Sequence, residues 1–192
     1  GDLSVWEGDG GKNGDAHAAV LKIYPGVTVK FPKEKSLRIG DDNGNNRGRL
    51  DAKGVTFTVT DTTDNARWSG IDIRASAVND STVLDSSVIE YADQGLAIYG
   101  NKAPTITRNT FRYNSNYGIY SHDHEFDLRI TGNTFLENKY YMFHGLNLTI
   151  ETLDGLIKHN GPVNNLFLHK KILNKSFFNK KINFTNFPSL ES

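Results

Sequence analysis

With 192 residues the chain is long enough for one domain with a real core, and its 22 basic and 22 acidic residues cancel. That balance does not recommend nucleic acid as a partner, and the absence of cysteine excludes disulfides and thiolate metal centres. No run of about 18 apolar residues is present, so no membrane insertion is expected.

The chain opens at Gly1 rather than Met and carries no signal peptide, as expected of a mature product or a fragment. Residues 1–17 are rich in glycine and acid and read as an N-terminal loop or cap. Trp6 is placed to cover the first layer of structure or to lie on a sugar ring. The run Gly8 to Asp15 offers oxygen ligands for Ca²⁺ but lacks the ligand order and closing Glu of an EF-hand, so a plain loop competes with a calcium loop.

Residues 18–150 form the body. From Val20 to Ile73 short runs alternate apolar and polar residues, as in Val27 to Phe31, Ser36 to Ile39, Val55 to Val59 and Gly70 to Ile73. Alternation is the period of a half-buried strand, not of an amphipathic helix. Pro25–Gly26 is turn chemistry. The polar stretches Asp41 to Gly48 and Asp61 to Asn65 are two further candidates for Ca²⁺, against ordinary solvated turns. Trp68 is either a packing residue at a corner or a sugar-stacking one.

From Ser81 to Gly145 the sequence repeats itself. The runs beginning at Leu84, Ile106 and Ile130 align, with Ile89, Phe111 and Phe135 at a second shared position and Ala92, Asn114 and Asn138 at a third. The steps are 22 and then 24 residues. A period in the twenties marks a solenoid, in which one coil buries its apolar face only against a neighbour. Strand-like alternation within each repeat makes it all-β: a right-handed parallel β-helix of about five or six coils at roughly 23 residues each. Asn109 over Asn133, and Asn114 over Asn138, are predicted to stack as side-chain amide ladders.

These residues resemble a known family. Asn109 to Asn114 with Gly118, and Gly132 to Asn138, look like repeats of the pectate-lyase-like superfamily of parallel β-helices. Tyr24 to Phe31, Trp68 to Ile73 and Val88 to Ala92 resemble successive coils of its secreted bacterial members. The resemblance covers roughly residues 18–150 and implies the fold, with a secreted or cell-surface location. It does not imply one activity, because the superfamily spans enzymes, adhesins and binding modules.

Two sets of residues are candidates for function. The insertion after Gly118–Tyr120 places His122, Asp123, His124, Glu125 and Asp127 together. Carboxylates and imidazoles are what a lyase or glycoside hydrolase acting on acidic glycans needs for proton transfer or for holding a metal; the metal itself is unknown, with Ca²⁺ the candidate. The competing reading is a solvated turn. The second set is aromatic: Trp68, Tyr117, Tyr120 and Tyr141, within a wider series that includes Tyr91, Tyr113 and Tyr140, are flat rings suited to sugar. The expected function is therefore an exported or cell-surface module binding a polysaccharide or other cell-surface glycan. The alternatives are a polysaccharide lyase or hydrolase, and a structural or adhesive stalk.

Residues 151–192 differ. Asn, Lys and Phe dominate and the repeat has stopped; a short helix over Leu166 to Leu173 is expected to cap the last coil. Translation of AT-rich DNA past a shifted frame is the other reading of that bias.

Overall fold

The structure is a computed structural model and describes residues 1–6, 18–42, 46–78, 81–100, 104–122 and 129–139. Fifteen short strands fall into five coils of three. Coil 1 holds β1 (Leu3–Val5), β2 (Ala19–Ile23) and β3 (Thr28–Phe31). Coil 2 holds β4 (Ser36–Ile39), β5 (Gly48–Lys53) and β6 (Thr56–Val59). Coil 3 holds β7 (Gly70–Ile73), β8 (Val83–Asp85) and β9 (Val88–Glu90). Coil 4 holds β10 (Leu96–Tyr99), β11 (Thr105–Thr107) and β12 (Thr110–Arg112). Coil 5 holds β13 (Ile119–His122), β14 (Arg129–Thr131) and β15 (Thr134–Leu136).

Like positions in successive coils pair in parallel. Sheet A is β1-β4-β7-β10-β13, sheet B is β2-β5-β8-β11-β14 and sheet C is β3-β6-β9-β12-β15. This is the expected right-handed parallel β-helix. The repeat register read from the sequence holds: Leu84, Ile106 and Ile130 align in sheet B, and Ile89, Phe111 and Phe135 in sheet C. The period does not hold throughout. Leu3, Leu37 and Ile71 align although 34 residues separate each from the next, against 23 from Leu96 to Ile119. The extra length lies in loops between strands, which a stack tolerates because only the strands must keep register.

Alternation puts one face of every strand inside. Leu37, Ile71, Leu96 and Ile119 form one buried column, and Phe57, Ile89, Phe111 and Phe135 another, with the last two rings stacked at 5.3 Å. Both predicted Asn ladders are present. Asn109 Nδ2 donates to Asn133 Oδ1 at 3.0 Å, and Asn114 Nδ2 to Asn138 Oδ1 at 2.8 Å. Each amide also completes buried backbone in the coil before it. The Ser87 N–H donates to Asn109 Oδ1 and the Ala92 N–H to Asn114 Oδ1, both at 2.9 Å. A buried turn N–H without such a partner costs about 1–3 kcal/mol, so the ladders are structural, not decorative.

Gly70, Gly95 and Gly118 form a third column at the entry to sheet A, with the Ile71 and Leu96 N–H groups donating to the Gly95 and Gly118 carbonyls. A Cβ on Gly118 would stand 2.6 Å from the Phe135 ring, and one on Gly70 would overlap the Gln94 carbonyl. The glycines are there because the Phe column and the next backbone fill the space.

The N-terminal residues are not only a loop, since Leu3–Val5 supplies the first strand of sheet A. Trp6 is exposed beside it, and the Ser36 N–H donates to Asp2 Oδ1 at 2.9 Å. The candidate calcium run at 8–15 and the predicted helical cap at 166–173 lie outside the described residues.

Candidate functional site

The outer face of sheet A gathers the charged and aromatic side chains that the core does not use. Arg38 and Asp72 are neighbours in register, as are Asp72 and Ala97, Ala97 and Tyr120, and Tyr99 and His122. Arg38, Asp72, Tyr99 and Tyr120 are less buried than the apolar strand residues beside them. The strand pattern thus places Arg38, Asp72, Tyr99 and Tyr120 on one surface.

Arg74, just past β7, ties the face together. Its Nη2 is 2.8 Å from Asp72 Oδ2 and its Nη1 3.1 Å from Asp42 Oδ1, while its guanidinium lies 4.3 Å from the Tyr99 ring centroid. The second Asp42 oxygen takes Arg38 Nη2 at 3.3 Å. The side chains of Asp72 and Arg74 are only 14% and 17% exposed, against 60% for Asp42. Burial raises the Asp72 carboxyl above its ordinary range, outweighing the Arg74 charge and hydrogen bond that pull it down. Burial raises the Tyr99 phenol likewise. The face therefore holds desolvated planar groups beside a ring pair, Tyr117 and Tyr120, with centroids 5.4 Å apart. Planar amide-like and ionic groups hydrogen-bond sugar hydroxyls, and rings take their apolar faces.

Some of the sequence candidates fall on or beside this surface. Tyr120 lies on it and Tyr117 beside it, both half-buried, and His122 ends β13 next to Tyr99. Asp123, His124, Glu125, Asp127 and Tyr141 lie outside the described residues. Trp68 is a correction. It is fully buried, stacked on Phe31 at 4.6 Å, and its indole N–H donates to the Glu90 carbonyl at 2.8 Å. No sugar can reach it. Tyr91 and Tyr113 stack on each other at 5.3 Å with Arg67 and Arg112 against their rings, so their faces are occupied. Arg38, Asp42, Asp72 and Arg74 were missed, although each belongs to or follows an alternating run. Only the 34-residue spacing of the early coils brings them together.

The polar loops are held by their own hydrogen bonds. Asp41 Oδ2 accepts from Asn46 Nδ2 at 2.7 Å, and Asp61 Oδ1 accepts from the Thr63 N–H at 2.9 Å. Among the described residues no three histidine, cysteine, aspartate or glutamate side chains come together as a metal would need.

The chain is 48% identical over 77 residues to a deoxyguanosinetriphosphate triphosphohydrolase-like protein of Pelagibacter ubique, covering 40% of this chain and 20% of that protein. It is 44% identical over 71 residues to one of Parvibaculum lavamentivorans, covering 37% and 16%. Over 49 residues it is 55% identical to one of Allorhizobium ampelinum, covering 26% and 11%. The chain thus spans a fifth or less of the length of these relatives. No solved structure matches it. The family model described as periplasmic copper-binding protein (NosD) matches residues 29–145, from within the last strand of coil 1 through all later strands, and the chain belongs to that family.

Proposed function

We propose that this solenoid is part of an exported protein and binds polysaccharide along the outer face of sheet A. Membership of a family described as periplasmic supports export. Among the described residues no helix is long and apolar enough to cross a membrane. The observation that carries the binding reading is the desolvated Asp72–Arg74 pair lying against Tyr99, with Tyr117 and Tyr120 beside it. Affinity electrophoresis in gels containing neutral or acidic polysaccharides tests it. Retardation that Tyr120→Ala abolishes supports the reading, and unretarded migration in every gel overturns it.

Cleavage is the enzyme form of the same reading, with His122, Asp123, His124, Glu125 and Asp127 as its acid–base and metal-holding groups. Product mass spectrometry with and without Ca²⁺ separates it from binding alone, since unsaturated ends report elimination and hydrated ends report hydrolysis.

Copper is the ligand in the family's description. The described residues do not fit it: the whole chain has no cysteine and one methionine, and the outer-face carboxylates are engaged by guanidinium groups. His17, His124, His144, His159, His169 and Met142 lie outside the described residues.

A second reading, nucleotide hydrolysis, is favoured by the triphosphohydrolase-like relatives alone. Hydrolysis of dGTP by the full chain would support it, and an inert chain would remove it.

A further inference from the structure

We propose that Asp42 occupies, from within the chain, a subsite for an acidic substituent of the glycan, carboxylate or sulfate. The inference rests on the polysaccharide reading above and names the chemistry that the sheet A face selects.

Two guanidinium groups on neighbouring coils converge on one carboxylate. Asp42 Oδ1 takes Arg74 and Asp42 Oδ2 takes Arg38, at 3.1 and 3.3 Å. One oxygen per guanidinium is the way a ligand carboxylate or sulfate would bridge the same pair. The arginines are fixed by their surroundings, while the acid is not. Arg74 is clamped between Asp72 and the Tyr99 ring, and Arg38 projects from β4 between the fully buried Leu37 and Ile39. Asp42 sits in a loop with its side chain 60% exposed, so little beyond the two arginines holds it in place.

A second observation is independent of that bridge. The Nε atoms of Arg38 and Arg74 are buried with no hydrogen-bond partner, so neither guanidinium is fully satisfied within the protein. Arg49 and Arg67 have the same buried Nε. What distinguishes the sheet A pair is the shared, exposed carboxylate. Loss of Asp42 from the bridge leaves Arg38 without the carboxylate it pairs with and Arg74 with Asp72.

An acidic sugar competes with Asp42 for this position, and a neutral sugar does not. The test is calorimetric titration of the full chain with three oligosaccharides of equal length: neutral, uronate-bearing and sulfated. Asp42→Asn is expected to tighten at least one acidic oligomer by about five- to tenfold relative to the neutral one, and Arg38→Gln to weaken it by about tenfold. Arg74→Gln is the stronger variant and is read only if its thermal melt matches the parent. Arg38→Gln and Asp42→Asn, both more exposed, keep the test decisive if it does not. Whichever acidic oligomer responds identifies the anion. If Asp42→Asn shifts neutral and acidic oligomers alike, or neither, the subsite is wrong while glycan binding stands. If no oligomer binds the parent or any variant, both fall.

Discussion

At the residue scale, small side chains decide whether coils can stack. Gly70 has φ of +114°, and a Cβ there would run into the Gln94 carbonyl, which is backbone and cannot swing away. Gly70→Ala should cost about 2–4 kcal/mol in urea unfolding, combining strain with a forced shift of β10. Gly26 offers the control: its φ is +84° but nothing lies within 4 Å of the added carbon, so Gly26→Ala should cost only about 1 kcal/mol. Equal losses at the two positions would mean that backbone conformation, not crowding, governs the glycine column. Asn109 makes the same point in polar terms. Its side chain meets the Ser87 N–H, the Leu84 carbonyl and Asn133, so Asn109→Leu should lose about 2–4 kcal/mol despite adding apolar volume. The Asn position was legible in the sequence because Asn recurs at the repeat spacing, whereas the crowding at Gly70 was not. Trp68 was not, because nothing in a single tryptophan tells a packing ring from a stacking one. Its neighbours Phe31 and Glu90 come from other coils.

At the scale of the strand, two carboxylates respond to pH in opposite directions. Burial works to raise Asp85, but hydrogen bonds from the Thr107 hydroxyl at 2.7 Å and the Arg108 guanidinium outweigh it, and its pKa falls below 3.8. The stability it contributes is present above the unfolded value and is lost as pH falls through the lowered one. Asp72, raised by burial, contributes the other way: stability is lost as pH rises from 3.8 through its folded value. Asp85→Asn should therefore flatten the acid limb of a plot of urea midpoint against pH. Asp72→Asn should steepen the net fall toward acid. An unchanged acid limb in Asp85→Asn would show that the β8–β11 contact does not set it. The strands themselves were readable from alternation. The candidate face on sheet A overlaps the sequence reading only where the period is short: Tyr120 and His122 lie in the coils that repeat at 23 residues. Arg38, Asp42, Asp72 and Arg74 lie where long loops hide which strand sits above which.

For the molecule as a whole, stability is unevenly spread along the stack. The exposed large apolar residues among those described, Leu3, Trp6, Val20, Tyr24 and Val27, all belong to coil 1. The interior residues of that coil, Val5, Leu21, Ile23 and Val29, are only partly buried, whereas their counterparts in coils 2 to 4 are covered on both sides. A coil with one neighbour buries half the area of one with two, and its opening free energy is correspondingly smaller. Hydrogen exchange should thus reach the amides of β2 and β3 well before those of β8 and β9. Simultaneous exchange would mean that the stack opens as one unit.

The unequal coil lengths carry a mechanical consequence. Pulled from its two ends, a stack that peels coil by coil would pay out chain in steps set by residues per coil, about 3.4 Å for each. The two early intervals of 34 residues correspond to steps of about 115 Å, and the 23-residue interval from Leu96 to Ile119 to about 80 Å. The molecule is in effect a ruler graduated more coarsely at one end, and the order of long and short steps under tension would tell from which end it comes apart.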